Sequence, residues 1–388
     1  MTTTKKAATE NRRRHSGRRN GRPTSPEGAE LANLAKATLR RLRLPLHQPY
    51  KLSYRTFTEF EPFFLELQGA DGRKVFSDAH VSPGSSSETR EGAWAYCQAR
   101  LAEFGSGGID EIKARLLGQL EQSKVATTLL VTALESLQGS EWLDVRESVS
   151  HELIVPINAT DPAGIEAELE QLLGEGFTTF KVKVGKDAAA DIERTNTILR
   201  LLDGRATIRL DANRAYSRDD AIRFVQGIRR EGVDLFEQPC EADAWDDNAA
   251  VARASPVPLM LDEPICTIAD IERAAGIPNV GYCKVKLKRF GGLDALAAGI
   301  RCVHEHGMLA VLGDGLGSEI NNWMEAAIAA RLIRTKGEFN GFLKHKDRLF
   351  RNPLSFGRGR ITLQAGYFPV LDEAAIERLT VDAYAIEY

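Results

Sequence analysis

Five short apolar segments at nearly equal intervals constrain the fold of this chain more than any other feature. Each segment ends in a charged residue, and successive charged residues are 28, 26, 25 and 24 positions apart. These residues are Lys183, Asp211, Glu237, Asp262 and Lys286. A period near 25 residues is about what one strand, one helix and two short loops require. The spacing therefore predicts an α/β fold in which parallel strands alternate with helices and close into a barrel.

The residues at the strand ends are also the candidates for an active site. In a (β/α) barrel the active site lies at the carboxyl ends of the strands. Side chains alternate along a strand, so Lys181 and Lys183 share one face while Phe180 and Val182 share the other. The apolar face suits the helix layer, which leaves the lysines inside the barrel. Because an unpaired buried charge is costly, we expect these lysines to have partners there.

The remaining pattern divides the chain into four parts. We expect a disordered basic tail at 1–30, an α+β capping unit at 31–148, the barrel at 149–351, and a C-terminal segment at 352–388 that packs back on the capping unit. The first barrel strand is predicted at 151–159 and a short eighth strand at 341–345. The tail holds eight basic residues against one acidic residue in its first 22 positions, and it is too polar to fold alone.

Composition excludes several classes of protein. The formal net charge is −3 although the tail is strongly basic, so the folded part is acidic and is no surface for nucleic acid. Nucleic-acid contact is therefore expected nowhere except through the tail. No apolar stretch approaches the roughly 20 residues of a membrane span, and we expect a cytoplasmic protein. The five cysteines are odd in number and lack CxxC spacing, which argues against a disulfide framework and a thiolate zinc site.

Three acidic residues that end consecutive strands predict a metal site. The carboxylates of Asp211, Glu237 and Asp262 would converge on one side of the barrel mouth. Oxygen ligands without histidine or cysteine favour Mg²⁺. The alternative is that each carboxylate caps the helix that follows it, but three in register beside lysines favour the metal.

Lys183 and Lys286 would flank this metal as proton-transfer groups. A lysine can act as a general base only if its pKa falls toward neutrality, which burial and neighbouring cations bring about. Lys181 lies two residues from Lys183 on the same face and is placed to do this. The alternative is that these lysines are only ion-pair partners of the carboxylates.

The order Lys-x-Lys, Asp-x-Asn, Glu-Gln-Pro, Asp-Glu-Pro and Lys-x-x-x-x-Gly-Gly resembles the enolase superfamily, specifically its muconate lactonizing enzyme subgroup. The resemblance runs from about residue 37 to 375. It implies a modified TIM barrel, (β/α)7β, with an N-terminal α+β capping domain, and a homo-oligomer such as a dimer or octamer. The resemblance implies a site with Mg²⁺, or Mn²⁺ as a substitute, held by Asp211, Glu237 and Asp262. It also implies that Lys183 and Lys286 are the acid/base groups and that Lys181 lowers the pKa of Lys183. Asn213 and Glu263 would provide polar support around the ligands.

Enzymes of this kind remove a proton α to the carboxylate of a small substrate, giving a metal-stabilised enediolate. The outcome is racemisation, epimerisation or cycloisomerisation, with dehydration as an alternative; the sequence does not choose among them. Asp314 departs from the family pattern after the seventh strand and would contact the substrate or serve only its loop. Tyr54 lies in a segment that, by resemblance, covers the site.

Two readings from other classes stay open. A Schiff-base lysine enzyme would use a barrel lysine but would leave the three carboxylates unexplained. A non-catalytic binding protein could keep the fold, but a decayed site should have lost at least one of these residues.

Overall fold

Two small antiparallel sheets and three helices precede the barrel in the computed structural model, which describes residues 34–51, 56–82 and 88–388. The strands are β1 (Leu34–Leu42), β2 (Leu44–Lys51), β3 (Thr56–Phe60), β4 (Phe63–Gly69) and β5 (Lys74–Ala79). β1, β4 and β5 belong to one sheet, and β2 pairs with β3. The helices are α1 (Arg90–Leu101), α2 (Ile109–Leu117) and α3 (Lys124–Gln138), with short 3-10 turns at Leu120–Gln122 and Glu141–Leu143. One apolar face of the larger sheet packs on these helices in a core of their own.

Seven parallel strands, adjacent in the order of the sequence, form the main sheet. After β6 (Val149–Glu152), which lies outside this sheet, its strands are β7 (Val155–Ile157), β8 (Thr179–Lys183), β9 (Thr207–Asp211), β10 (Val233–Glu237), β11 (Leu259–Leu261), β12 (Val280–Val285) and β13 (Leu309–Leu312). The helices between and after them are α4 (Pro162–Gly174), α5 (Ala188–Leu202), α6 (Arg218–Gly227), α7 (Trp245–Ala254), α8 (Ile268–Ala275), α9 (Leu287–Phe290), α10 (Leu293–Glu305) and α11 (Glu319–Leu332). The predicted alternation of strands and helices is confirmed.

Side-chain alternation along the strands separates two cores, as the sequence predicts. Phe180 and Val182 are fully buried in the large core beneath the surrounding helices. On the inner face, Leu235, Met260 and Val311 are fully buried together. Leu235 and Met260 lie two residues before Glu237 and Asp262, so they form an apolar layer directly beneath the charged strand ends.

The C-terminal part returns to both sheets. It contains a 3-10 turn (Gly341–Lys344), β14 (Ser355–Gly357), β15 (Arg360–Leu363), α12 (Glu373–Leu379) and β16 (Thr380–Glu387). β15 pairs with β6 and β14, and β16 pairs antiparallel with β1 at the edge of the first sheet.

Two strand predictions were wrong in position. The single first strand predicted at 151–159 is divided between β6 and β7, which belong to different sheets. The eighth strand predicted at 341–345 is instead the 3-10 turn. The gap between β13 and β7 is bridged earlier, by Gly337 and Glu338: the Glu338 amide donates to the Leu312 carbonyl (2.9 Å), and the Ile154 amide donates to the Gly337 carbonyl (3.1 Å). This bridging segment is too short and too polar to give a strand pattern in the sequence.

The predicted basic tail, residues 1–30, lies outside the described residues. Within the three described ranges, no helix combines the length and the apolar character that crossing a membrane requires.

Candidate active site

The strand ends bring the predicted site residues together around one cavity of about 370 Å³. Lys183 pairs in register with Asp211, and Asp211 pairs with Glu237. Asp262 directly follows β11, and Lys286 directly follows β12. The cavity is lined by Lys181, Lys183, Asp211, Asn213, Asp262, Glu263, Lys286 and Asp314. Glu237 lies beneath them and is fully buried.

Lys181 is the hub of an ion-pair network. Its Nζ lies 2.8 Å from Asp211 Oδ2, 2.7 Å from Glu237 Oε2 and 2.9 Å from Glu338 Oε2. Burial alone would lower the pKa of Lys181, but the three carboxylates together raise it well above its usual value. Lys181 is therefore a fixed positive charge two residues from Lys183.

Lys183 is held at the rim of the cavity by a tight turn after β9. Its Nζ donates to Asp211 Oδ2 and to Asn213 Oδ1, both at 2.5 Å. Asn213 adopts a left-handed backbone conformation (φ 44°), which asparagine tolerates better than most residues. Its amide returns to Asp211 Oδ1 at 2.9 Å. Although burial opposes it, Lys181 and Lys183 lower the pKa of Asp211 to about 2, so this carboxylate is charged.

A second lysine and an arginine hold Asp262. Lys286 Nζ lies 2.9 Å from Asp262 Oδ2, and Arg289 Nη1 lies 2.8 Å from Asp262 Oδ1. Burial lowers the pKa of Lys286, and the neighbouring Arg289 lowers it further. Glu263 is 3.5 Å from the Arg214 guanidinium, and burial together with Asp262 raises its pKa.

Glu338 is a site residue that the sequence reasoning missed. It is buried, lines the cavity, and forms close ion pairs with Lys181 and Lys284. Lys284 also lies 3.4 Å from Glu237. The only local signal was a carboxylate after a glycine, 24 residues beyond Asp314, in a segment without an apolar run.

Two further residues were present in the motifs but were given no role. Gln238 is fully buried, and its Oε1 accepts a hydrogen bond from the Asp262 amide at 2.9 Å, which ties the ends of β10 and β11 together. Arg289 lies three residues after Lys286, so a single helical turn brings both cations to the same carboxylate.

Asp314 and Tyr54 were the other candidates. Asp314 is buried, forms a close ion pair with Lys288, and its Oδ1 accepts from the Leu316 amide at 3.1 Å. Burial opposes it, but Lys288 and Lys286 lower the pKa of Asp314. Its carboxylate thus anchors its own loop while lining the cavity. Tyr54 lies outside the described residues.

The donor set fits a hard divalent cation. Asp211, Glu237 and Asp262 supply buried carboxylate oxygens, the ligands that Mg²⁺ prefers. Within the described residues, no three acidic, histidine or cysteine side chains are grouped closely enough to enclose an ion as they stand, and each of these carboxylates is turned toward a lysine or arginine. Glu237 carries the least compensated charge: its Oε2 accepts no well-aligned hydrogen bond, and burial together with Asp211 raises its pKa to about 7. A divalent cation beside Glu237 would relieve that repulsion, so the residues fit Mg²⁺.

Comparisons with known proteins agree with the fold and the motifs. Residues 164–367 match the family model described as enolase C-terminal domain-like. Muconate cycloisomerase 1 of Rhodococcus opacus is 30% identical over 350 residues, covering 84% of this chain and 92% of that protein. The L-Lys-D/L-Arg epimerase of Methylococcus capsulatus is 27% identical over 275 residues, covering 67% and 76% respectively. Among solved structures, the N-succinyl Arg/Lys racemase of Bacillus cereus superposes with a TM-score of 0.83 at 18% identity, covering 91% of this chain and 100% of that one. This likeness confirms the predicted barrel with its capping sheets.

Proposed function

Because this chain belongs to the enolase superfamily, in its muconate lactonizing enzyme subgroup, we propose that its cavity racemises or epimerises a small carboxylate by moving the α-proton between two lysines. The chain is an isomerase of this superfamily, whose shared chemistry is Mg²⁺-dependent abstraction of a proton α to a carboxylate. The roles of individual residues below are part of the proposal.

One observation carries the proposal: the two candidate bases stand on either side of the acidic strands. Lys183 ends β8 and Lys286 follows β12, so β9, β10 and β11 with their three carboxylates lie between them. Lys183 contacts Asp211, and Lys286 contacts Asp262. Both lysines line the same cavity. A substrate bound above Glu237 would therefore present one face to each lysine, which is the arrangement that inversion of a carbon centre requires.

Asp211, Glu237 and Asp262 would hold the metal ion. Mg²⁺ bound there supplies a cation that holds the substrate carboxylate and offsets the negative charge that develops on it. Gln238 accepts a hydrogen bond from the Asp262 amide, and the Asn213 amide donates to the Asp211 carboxylate. These hydrogen bonds would keep Asp211 and Asp262 in position before the metal binds.

The inner lysines would supply fixed charge. Lys181 and Lys284 are both paired with Glu237 and Glu338. Although burial opposes it, the carboxylates around Lys181 raise its pKa well above the usual value, which makes Lys181 unsuited to accepting a proton. Burial and Arg289 lower the pKa of Lys286, and the charge of Lys284 adds to this in the same direction. Lys183 and Lys286 would remove the proton from one face and return it to the other.

Cycloisomerisation is the second candidate. The specific observation that favours it is the 30% identity to muconate cycloisomerase 1, which extends over most of both chains. Cycloisomerisation needs only one of the two lysines for proton transfer, and dehydration also needs only one base. Racemisation needs both lysines, so the number of lysines required for activity distinguishes racemisation from the other two reactions.

The test is exchange of the α-proton for deuterium in ²H₂O. A panel of dipeptides, N-acyl amino acids, sugar acids and cyclic carboxylates would be incubated with the protein and Mg²⁺, and exchange followed by NMR. For a two-base racemase, both enantiomers of the substrate exchange. Lys183→Ala and Lys286→Ala should each abolish exchange with one enantiomer and spare the binding of Mg²⁺.

The outcomes separate the candidates. Loss of exchange in only one of the two variants would favour cycloisomerisation or dehydration, and the product would show ring closure or loss of water. Absence of exchange across the panel, together with failure to bind Mg²⁺, would leave a non-catalytic binding protein as the remaining reading. Insensitivity to a chelator would instead favour Schiff-base chemistry.

Two further proposals rest on the resemblance alone: we expect Mn²⁺ to replace Mg²⁺ and the chain to assemble as a homo-oligomer. A third rests on the sequence, from which we expect the protein to be cytoplasmic. Titration with each metal, sedimentation analysis and cell fractionation test these in turn.

A further inference from the structure

One cation in the cavity wall differs from all the others. Of the nine lysines and arginines that line the cavity, eight have a carboxylate oxygen within 4 Å. Those eight are Lys124, Lys181, Lys183, Arg214, Lys284, Lys286, Lys288 and Arg289. Lys344 is the ninth, and no carboxylate of the described residues lies that close to it. The wall therefore holds one ammonium that has no carboxylate of the described chain within ion-pair distance.

Neutral groups fix the position of this ammonium. Lys344 Nζ donates to Asn340 Oδ1 at 2.8 Å and lies 4.9 Å from the centre of the Tyr50 ring. The Asn340 side chain is itself oriented, because its Nδ2 donates to the Ile154 carbonyl at 2.7 Å. Lys344 ends the 3-10 turn, which directs its side chain back toward Asn340. The ammonium has three protons, and these contacts leave donor capacity for a ligand.

Three polar groups converge beside Gly315. A methyl group placed on this glycine would lie 3.2 Å from the Tyr50 hydroxyl, 3.5 Å from Asn340 Oδ1 and 3.6 Å from Lys344 Nζ. All four residues line the cavity that also holds Lys183 and Lys286. A hydroxyl and an ammonium can both donate to one anion, and glycine leaves the approach to them open.

We propose that Lys344, with Tyr50 beside it, binds a second carboxylate at the far end of the substrate, so that this enzyme acts on dianionic rather than zwitterionic substrates. The inference rests on the proposed function, since it assumes that the first carboxylate lies at the acidic strand ends. Dicarboxylates and amino acids acylated by a dicarboxylic acid belong to the favoured class. A dipeptide with a free ammonium at this end would meet a like charge.

The electrostatics of the pocket agree with this assignment. Burial lowers the pKa of Lys344 to about 8, which leaves the ammonium charged at neutral pH but poorly solvated. An anion would restore the interaction energy lost on burial. Asp314 and Glu338 favour the charged form of Lys344 from a greater distance, but Asp314 is paired with Lys288, and Glu338 with Lys181 and Lys284.

Three substrates with four-carbon acyl groups isolate the charge at the far end. The α-amino group of one amino acid is acylated with succinate, with butanoate or with 4-aminobutanoate, which ends the chain in a carboxylate, a methyl group or an ammonium. The measurement is kcat/KM for α-proton exchange in ²H₂O, for several amino acids. Wild type should prefer the succinyl compound to the butanoyl compound by about 10- to 100-fold, the range of a charge-assisted hydrogen bond. The 4-aminobutanoyl compound should be the poorest.

Lys344→Met should remove the preference for the succinyl compound, so that the ratio of kcat/KM between the succinyl and butanoyl compounds falls from about 10- to 100-fold to about one. Lys344→Glu should reverse the order of the charged pair. Lys346→Met is the matched control, because Lys346 is an exposed lysine two residues away that lies outside the cavity wall; it should behave as wild type. A variant that merely folded poorly would lower all three rates together, so the ratio between substrates distinguishes misfolding from loss of the contact.

Two results would contradict the inference while leaving the proposed function intact. One is equal exchange of all three compounds by wild type; the other is an unchanged succinyl preference in Lys344→Met. If no N-acyl compound and no member of the wider panel exchanges, the proposed function itself fails.

Discussion

Replacing Glu338 by glutamine tests whether the ion-pair network inside the barrel is built as described. Glu338 is buried, accepts from Lys181 Nζ at 2.9 Å, and is in close contact with Lys284. Lys284 is only 2% exposed and would be left with Glu237 at 3.4 Å as its carboxylate partner. Removing one partner of a buried ion pair costs about 3–5 kcal/mol, and here Lys284 would lose its closer carboxylate and keep only the more distant one. We expect Glu338→Gln to lower stability by this amount.

The expected effect can be expressed as a change in melting temperature. For a chain of 388 residues, an unfolding entropy of about 2.1 cal/mol/K per residue gives about 0.8 kcal/mol/K in total. A loss of about 3–5 kcal/mol then lowers Tm by about 4–6 °C at pH 7. Differential scanning calorimetry of both proteins in the same buffer, with chelator present, measures this shift.

Glu325→Gln is the matched control. Glu325 is also fully buried, but burial and Asp314 raise its pKa to about 8, so it is mostly protonated at pH 7 and a glutamine imitates it closely. We expect its Tm to change by less than about 1 °C, corresponding to less than about 1 kcal/mol. Equal shifts in the two variants, or a Glu338→Gln protein within 1 °C of wild type, would refute the argument that the charge of Glu338 is what matters.

Three other predictions concern docking, the metal and pH. Gly292→Ala should lower Tm by about 1–4 °C, because a methyl group there would lie 2.8 Å from Val131 and 2.9 Å from the Glu135 carboxylate, both on α3; an unchanged Tm would contradict the close approach of α3. Mg²⁺ at about 100 times its Kd should stabilise wild type by about 2.7 kcal/mol, and a chelator should abolish α-proton exchange. Glu237→Gln should lose most of the rise in Tm that Mg²⁺ causes in wild type. Burial and then Lys344 lower the pKa of His345 to about 3 from 6.5, so its neutral form stabilises the protein above pH 6.5 and that stability is lost as the pH falls. Urea denaturation should therefore show wild type losing about 1.4 kcal/mol per pH unit below 6.5 relative to His345→Gln, and parallel profiles would disprove it.

The strand-end residues could be predicted from the sequence because each one is marked by a pattern of neighbouring residues, and the barrel brings all strand ends to the same rim. An apolar run that ends in a charge marks the end of a strand, and parallel neighbours place all such ends on one rim. Lys183, Asp211 and Glu237 thus came into register through a spacing that could be counted in the sequence. The glycine pair of the last motif has a local reason too, since Gly291 adopts φ 85° and the next glycine admits α3.

The missed residues depend on contacts that no local pattern contains. Glu338 and Lys181 are 157 residues apart, and the segment that carries Glu338 has only a few residues between two glycines. The eighth strand was predicted at 341–345 because Phe342 and Leu343 are apolar, but these residues form a 3-10 turn. Lys344 was overlooked for a different reason. It stands out because no carboxylate of the described residues lies within 4 Å of its ammonium, and this can be seen only in the folded cavity.

The ion pairs also divide the four barrel lysines into two groups by their partners. A Lys-x-Lys sequence lies at the carboxyl end of each of the strands β8 and β12. In both, the first lysine contacts Glu237, and the second contacts an aspartate, Asp211 or Asp262. The first lysines, Lys181 and Lys284, share Glu338 as well, so the inner layer contains two lysines and two glutamates. Each outer lysine, in contrast, shares its aspartate with another cation, so a metal that claimed Asp211 and Asp262 would release Lys183 and Lys286 toward the substrate. The same residues that bind the metal would thus determine which lysines become free to transfer protons.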